Sequence, residues 1–165
     1  MGKRAEILEA IGAATPALRR YARALCAGAD AAVADDLVQS ALQSFGARLR
    51  TRETHASNAA DARIEAYAAL TELAGRKLAG GGDPKPSVRH PAIVHSLADL
   101  SFQERAALLL VALEGFGYDA AARICGAPRE ATLARLMRAR AVLAAEDFRP
   151  SDGARRAASH LRIVK

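Results

Sequence analysis

The chain contains no tryptophan, and only 4% of its residues are aromatic. Residues that favour strands are scarce, whereas alanine, which has the highest helix propensity, is abundant. Hydrophobic residues make up 51% of the 165 residues, which is enough to form a buried core. The composition therefore predicts an all-α fold.

Long apolar runs and clustered cysteines are also missing. No stretch is long enough to span a membrane, and the N-terminus lacks the hydrophobic region of a signal peptide. Cys26 and Cys125 lie in helical patterns among apolar neighbours, as small buried hydrophobic residues do. We therefore expect a reducing, cytoplasmic location without contact to membranes.

Motifs for catalysis or ligand binding are absent too. His55, His90, His95 and His160 have no cysteine or carboxylate at the spacing of a metal site. The glycines at 80–82 lack the Lys and Ser/Thr that follow in a phosphate-binding loop. No serine lies in the pattern of a strand-to-helix elbow. We expect no enzymatic activity, no small-molecule substrate, no cofactor and no metal.

Acidic residues are fewer than basic ones, with 18 Asp and Glu against 24 Lys and Arg, so the formal net charge is +6. Most of this excess lies at the C-terminus, where residues 149–165 include five basic residues and one acidic residue. A basic chain can bind nucleic acid. A basic tail can equally increase solubility, so the net charge alone does not distinguish nucleic-acid binding from a role in solubility.

Residues 101–143 have the pattern of a helix-turn-helix with a further helix before it. Ser101 followed by Glu104 forms a capping box. Gly126 is placed to end the second helix in a left-handed conformation, and Pro128 to begin the third. A short helix, a tight turn and a longer helix that carries arginines can place a recognition helix against DNA.

The first half of the chain also has helical periodicity. Thr15 followed by Pro16 predicts the start of a helix. Asn58, with Asp61 three residues later, predicts the start of another. We expect three helices here, after a short opening turn or helix at Glu6–Ile11.

A segment rich in glycine and proline separates the two halves and predicts a flexible linker. The expected architecture is two small helical domains, at 1–79 and 97–148. The linker would cover 80–96, and a basic tail would cover 149–165.

Two segments resemble the bacterial extracytoplasmic-function sigma factors, in the order found in that family. Residues 15–45, with the run ADDLVQ at 34–39, resemble the opening of the second conserved region. Residues 101–143 resemble the fourth region, which reads the upstream promoter element in the family. The alphaproteobacterial general-stress branch is most similar, on the evidence of FGY at 116–118, ICG at 124–126 and the ending HLRIVK at 160–165.

The resemblance implies partners for both halves. Asp35, Asp36, Leu37 and Gln39 would contact the clamp helices of core RNA polymerase, and an anti-sigma factor would regulate the protein. The third helix of the C-terminal domain would enter the major groove of promoter DNA. Its DNA-backbone contacts would come from Arg129, Arg135, Arg138 and Arg140.

The positions that trap bases of opened DNA in the family differ here. Glu65 falls where the family has tryptophan, and Thr71 and Glu72 fall where it has a basic residue and asparagine. Such trapping needs aromatic faces and hydrogen-bonding tips. Tyr67 is the one aromatic residue nearby, and its spacing to Leu70 indicates a core position.

The recognition helix departs from the family as well. The family usually has residues that donate hydrogen bonds at the positions of Ala131, Leu133 and Ala134, and alanine cannot do so. Leu133 and Met137 form an apolar pair that would suit a protein partner better than a duplex.

Two functions of different kinds stay open, and a third is weaker. The first is a sigma factor that binds core polymerase and promoter DNA under the control of an anti-sigma factor, as part of a stress response. The alternative is a sigma-factor mimic that sequesters an anti-sigma factor without reading promoters. A repressor with a helix-turn-helix would explain the C-terminal half but leave the ADDLVQ run without a purpose.

Overall fold

The computed structural model describes residues 2–51, 53–54, 56–81 and 91–147. Within these residues the chain forms seven α-helices and no strand, which confirms the all-α prediction. The helices are α1 (Lys3–Leu25), α2 (Ala31–Thr51), α3 (Ala59–Gly81), α4 (Ala92–Ala98), α5 (Phe102–Ala112), α6 (Tyr118–Cys125) and α7 (Arg129–Asp147).

Helix α1 is longer than the sequence predicts. It runs unbroken through Pro16, so the expected start at Thr15 is wrong. The Thr15 hydroxyl donates to the Ile11 carbonyl over 3.1 Å, within the helix. Ile7 and Ile11 are buried on the side that also carries Leu18. Packing of this extra segment therefore offsets the hydrogen bond that proline removes.

Helices α1, α2 and α3 pack against one another. Helix α3 begins as predicted, because the Asn58 side chain accepts a hydrogen bond of 2.9 Å from the Asp61 amide. Helix α2 buries one stripe of its surface, which consists of Ala34, Leu37, Val38, Ala41, Phe45 and Leu49.

Helices α5, α6 and α7 form the predicted helix-turn-helix with its preceding helix. Ser101 and Glu104 make the full capping box at the start of α5. Gly126 ends α6 in the left-handed region, with φ of 58°. Both features were predicted from short local patterns.

The segment expected as a linker, 80–96, is helical at both ends. Helix α3 continues to Gly81, and α4 begins at Ala92. Buried Leu78 supports the last turns of α3, and buried Leu97 supports α4, so packing overrides the local glycine and proline signals. Residues 82–90 and the basic tail at 149–165 lie outside the described residues.

The two halves of the chain pack on each other. Helix α3 lies against α6, and α1 lies against α5, so buried residues of both halves form one continuous hydrophobic cluster. Gly75 in α3 is close to the Phe102 ring, where a Cβ atom would lie 3.1 Å from Cε1. The helices can approach this closely because residue 75 has no side chain.

Candidate protein-interaction surface and recognition helix

An open groove of ≈ 460 Å³ lies between α1 and α2. Asp35, Asp36 and Gln39 line it, and Val38 and Leu42 supply apolar surface. The structure thus brings together three of the residues that the sequence assigns to polymerase binding. We call this the acidic groove.

The charge of Asp35 is partly balanced. Arg23 Nη2 lies 3.3 Å from its Oδ2, and Arg19 Nε lies 3.9 Å from its Oδ1. Asp36 and Gln39 are exposed. A partner at the groove would therefore meet a carboxylate at Asp36 and a neutral amide at Gln39.

Leu37 does not lie on the acidic groove. It is 5% exposed and belongs to the buried stripe of α2. Its burial follows from helical geometry, because residue 37 shares a face with core residues 34, 41 and 45. Leu37 instead borders a second open groove with Asp36 and Ser40, and its contact with polymerase stays a prediction.

Helix α7 packs on α5 and α6, and its buried residues there are Thr132, Leu136 and Ala139. The opposite face remains accessible. Met137 is 63% exposed, and Leu133 is half-buried. The face that would meet DNA is therefore not covered by the N-terminal half, although the two halves are packed together.

Two of the four predicted DNA-contacting arginines are held by carboxylates. Arg129 Nε lies 2.8 Å from Asp119 Oδ1, and Arg138 donates to Glu104 Oε1 over 2.9 Å. The Arg129 and Arg138 side chains are 53% and 60% exposed and each contact uses Nε, so these ion pairs weaken binding to phosphate without preventing it.

The other two arginines differ in their surroundings. Arg140 is exposed, whereas Arg135 is half-buried and close enough to Cys125 to influence its thiol. Burial dominates there and raises the pKa of the Cys125 thiol to about 11. Three of the four predicted contacts, Arg129, Arg138 and Arg140, are thus exposed.

The residues matching the base-trapping site are not arranged to hold DNA. Tyr67 is 0% exposed, which confirms its predicted core position. Thr71 is also buried, and its hydroxyl is 2.9 Å from the Tyr21 hydroxyl. Glu65 accepts a hydrogen bond of 2.6 Å from Thr54. Glu65 and Thr71 are not aromatic and the Tyr67 ring is buried, so none of the three side chains can stack on a base.

A buried polar cluster joins the two halves at the end of α5. The Glu114 carboxylate accepts two hydrogen bonds from Arg20, of 3.1 and 3.0 Å, and one of 2.7 Å from the Tyr67 hydroxyl. Arg63 donates to the Glu114 carbonyl over 3.1 Å. We call Glu114, Arg20, Arg63, Tyr67 and Phe116 the Glu114 cluster.

Aromatic contacts complete the Glu114 cluster. Phe116 meets Tyr67 edge-on with ring centroids 4.9 Å apart, and the Arg63 guanidinium lies 4.4 Å from the Phe116 centroid. Burial and the hydrogen bond to Glu114 raise the pKa of Tyr67 above its usual value. The phenol therefore stays protonated and continues to donate to Glu114.

A buried cation, Arg105, also links the two halves. Arg105 in α5 is 0% exposed and donates to three carbonyl oxygens. Leu97 and Leu100 belong to its own half, whereas Leu25 ends α1. The planar guanidinium suits this task because its five N–H donors point in fixed directions.

Sequence reasoning missed the Glu114 cluster and Arg105. The local signal there is a pair of glycines at 115 and 117, which predicts the end of a helix and nothing about Glu114. The partners of Glu114 are 47 and 94 residues away in the chain, so no local pattern could connect them.

Among the described residues, no group of histidine, cysteine or carboxylate side chains could hold a metal ion. None of the helices there is both long and apolar enough to cross a membrane.

Comparison with known protein families assigns both halves. The sigma2 domain of PhyR matches residues 11–71, and sigma-70 region 4 matches residues 91–143. The chain combines a domain of the PhyR sigma2 family with a domain of the sigma-70 region 4 family. The resemblance to sigma factors is thereby confirmed for both the sigma2 domain and the region 4 domain.

Two solved structures from Bartonella quintana resemble the chain. The anti-anti-sigma factor PhyR, complexed with the anti-sigma factor NepR, is 22% identical with a TM-score of 0.62. The match covers 84% of this chain and 49% of that one, so this chain spans about half the length of that PhyR chain. At this identity the likeness shows the fold alone.

The second structure is the sigma factor RpoE in complex with NepR. It is 28% identical with a TM-score of 0.57, and the match covers 81% of this chain and 91% of that one. The two sigma-factor domains are therefore similar in arrangement both to a sigma factor and to an anti-anti-sigma factor. No curated protein sequence matches the chain significantly.

Proposed function

We propose that this chain is a sigma-factor mimic that binds an anti-sigma factor of the NepR kind and does not read promoters. The observation that carries the proposal is the state of the DNA-facing positions. Tyr67 and Thr71 are buried, and Arg129 and Arg138 are bound by carboxylates. This observation supports the second of the two hypotheses that the sequence left open.

The sigma2 domain lacks what base trapping requires. Stacking on an unpaired base needs an exposed aromatic face. Exposing the Tyr67 ring would break its 2.7 Å hydrogen bond to Glu114 and its contact with Phe116. The one aromatic residue at this site is thus committed to the core.

The region 4 domain retains phosphate contacts at most. Ala131 and Ala134 supply no hydrogen bonds to base edges, and Glu130 repels phosphate. Arginine contacts to the DNA backbone give affinity without sequence choice. A few such contacts would not direct polymerase to a chosen start site.

The surfaces that suit a protein partner are accessible. The acidic groove exposes Asp36 and Gln39 beside apolar Val38 and Leu42. The outer face of α7 exposes Met137. PhyR and RpoE were each solved with NepR. A shared fold is a reason to test the same class of anti-sigma factor here.

An active sigma factor is the second candidate. The 28% identity to RpoE, over 91% of that chain, favours it. Its partners would be core RNA polymerase, promoter DNA and an anti-sigma factor. Either function would operate in the cytoplasm, where transcription takes place.

Two parallel assays test the proposal. In the first, a purified NepR-type anti-sigma factor is titrated against the wild type, Asp36→Arg and Glu9→Arg. Asp36→Arg should weaken binding about tenfold or more, because it reverses the charge of the acidic groove. Glu9→Arg is the matched control, since Glu9 is exposed on α1 away from the groove.

In the second assay, the protein is mixed with core polymerase and a library of fork-junction promoters. The mimic should yield no transcripts from a shared motif. Specific initiation would establish the sigma factor instead, and lack of anti-sigma binding would exclude the mimic.

A further inference from the structure

We propose that Glu114 is a positioning residue that fixes the orientation of the sigma2 domain relative to the region 4 domain. Glu114 belongs to the region 4 half, directly after α5. The described residues that bond its carboxylate, Arg20 and Tyr67, both belong to the sigma2 half. Its charge is therefore compensated only when the halves are packed together.

Because Glu114 is buried, the stability of its charged carboxylate depends strongly on how closely the two halves are packed. The Glu114 side chain is 0% exposed, whereas that of Arg20 is 54% exposed. A carboxylate that loses its donors without regaining water is strongly destabilised. A small shift between the halves would lengthen the bonds to Arg20 and Tyr67 before water could replace them. Intermediate arrangements are thus disfavoured, and the packed orientation becomes well defined.

The local backbone holds Glu114 and Phe116 in place. Gly115 has φ of 69°, in the left-handed region that favours glycine. The Phe116 amide donates to the Leu110 carbonyl over 2.9 Å, which anchors the turn on α5. Glu114 and Phe116 therefore reach the sigma2 half from a constrained turn rather than from a free loop.

Apolar packing alone would specify the orientation less well. Contacts between hydrophobic surfaces change gradually as helices slide, whereas hydrogen bonds to a buried charge depend on distance and angle. Glu114→Gln keeps the shape of the side chain but turns one acceptor oxygen into a donor. It should therefore loosen the orientation while leaving the apolar contacts in place.

Glu104→Gln provides a matched control. Glu104 lies in the same helix, α5, and also binds an arginine, Arg138. Both residues of that pair belong to the region 4 half. If loss of any Glu–Arg pair changed the protein in the same way, Glu104→Gln and Glu114→Gln would behave alike.

The distance between the halves can be measured with spin labels on cysteines introduced at exposed Ser44 and Ala134. The native thiols interfere little, because Cys26 is buried and the pKa of Cys125 is raised to about 11. Wild type and Glu104→Gln should give one narrow distance distribution. Glu114→Gln should add a longer and broader component, with unchanged helical content by circular dichroism.

Arg20→Gln provides a second route to the same result if Glu114→Gln fails to fold. It removes two of the three bonds to the carboxylate from a half-exposed position. Folded Glu114→Gln or Arg20→Gln protein with the distance distribution of the wild type would overturn the proposal.

A second measurement rests on the proposed function. If the anti-sigma factor contacts both domains, Glu114→Gln should weaken its binding about tenfold, within the usual range of coupling free energies, and Glu104→Gln should not. A changed distance with unchanged affinity would leave the role of Glu114 intact and count against a partner that contacts both domains. If the wild type does not bind the anti-sigma factor at all, only the proposed function is rejected.

Discussion

Arg138 in the recognition helix donates to Glu104 in α5 over 2.9 Å. Glu104 also accepts a hydrogen bond of 2.8 Å from the Ser101 hydroxyl, so one carboxylate serves both the capping box and the arginine. The bond from Ser101, and then that from Arg138, lowers the pKa of Glu104 below its usual value. The carboxylate therefore remains charged at neutral pH and retains Arg138.

Glu104→Gln should strengthen non-specific binding to duplex DNA. Glutamine can still complete a capping box, but it no longer neutralises Arg138. One additional phosphate contact would steepen the slope of log K against log salt by about 0.9. Filter binding or fluorescence anisotropy at several salt concentrations measures this slope. Adding Arg138→Ala should return it to the wild-type value, and an unchanged slope in Glu104→Gln would contradict the prediction.

Gly126→Ala should destabilise the protein by about 1–2 kcal/mol, because residue 126 adopts a left-handed conformation that penalises a Cβ atom. Urea unfolding gives the free energy. Gly12→Ala is the control, since Gly12 lies within α1 and a Cβ atom there meets nothing within 4 Å. It should stabilise the protein by about 0.5–1 kcal/mol. Equal effects at the two positions would be inconsistent with this structure.

Arg105→Lys should lower the free energy of unfolding by more than about 2 kcal/mol, although the charge is kept. Lysine cannot reach the carbonyls of Leu25, Leu97 and Leu100 with the directions that the guanidinium provides. Arg76→Lys is the matched control at an exposed pair with Glu72, where the change should stay within about 0.5 kcal/mol. A mild effect at Arg105 would mean that its buried hydrogen bonds contribute little.

Cys125 should react slowly with iodoacetamide at neutral pH. Only the thiolate attacks, and burial raises the pKa of this thiol to about 11. The rate should rise about tenfold per pH unit between pH 7 and 9, where the thiolate fraction grows in proportion to hydroxide. Mass spectrometry of the labelled peptide gives the rate. A plateau below pH 9 would show that the thiol is far more acidic than its surroundings imply.

Local signals in the sequence predicted local structure well. Ser101 with Glu104, Asn58 with Asp61, and Gly126 each act within one turn of helix, and each is found as expected. Thr15 is one exception, because burial of residues before it lets α1 begin at Lys3. The predicted linker at 80–96 is another, because both of its ends are helical. Propensity was outweighed there by packing that depends on distant residues.

The candidate site was less accessible to prediction. Asp35, Asp36 and Gln39 share a groove, whereas Leu37 lies on the buried stripe of α2, where helical periodicity places it. The bonds of Glu114 to Arg20 and Tyr67 depend on how the halves are packed together. A single sequence carries no periodic signal for such long-range pairs.

The close approach of Gly75 to Phe102 restricts how this protein can be recombined with its relatives. A chimera that joins residues 1–81 to the region 4 domain of another protein would need a side chain of matching shape opposite Gly75. A Cβ atom at position 75 would require the Phe102 ring to give way by a few tenths of an ångström. Residues 75 and 102 would therefore have to be exchanged as a pair in such a chimera, even though they lie in domains of separate families.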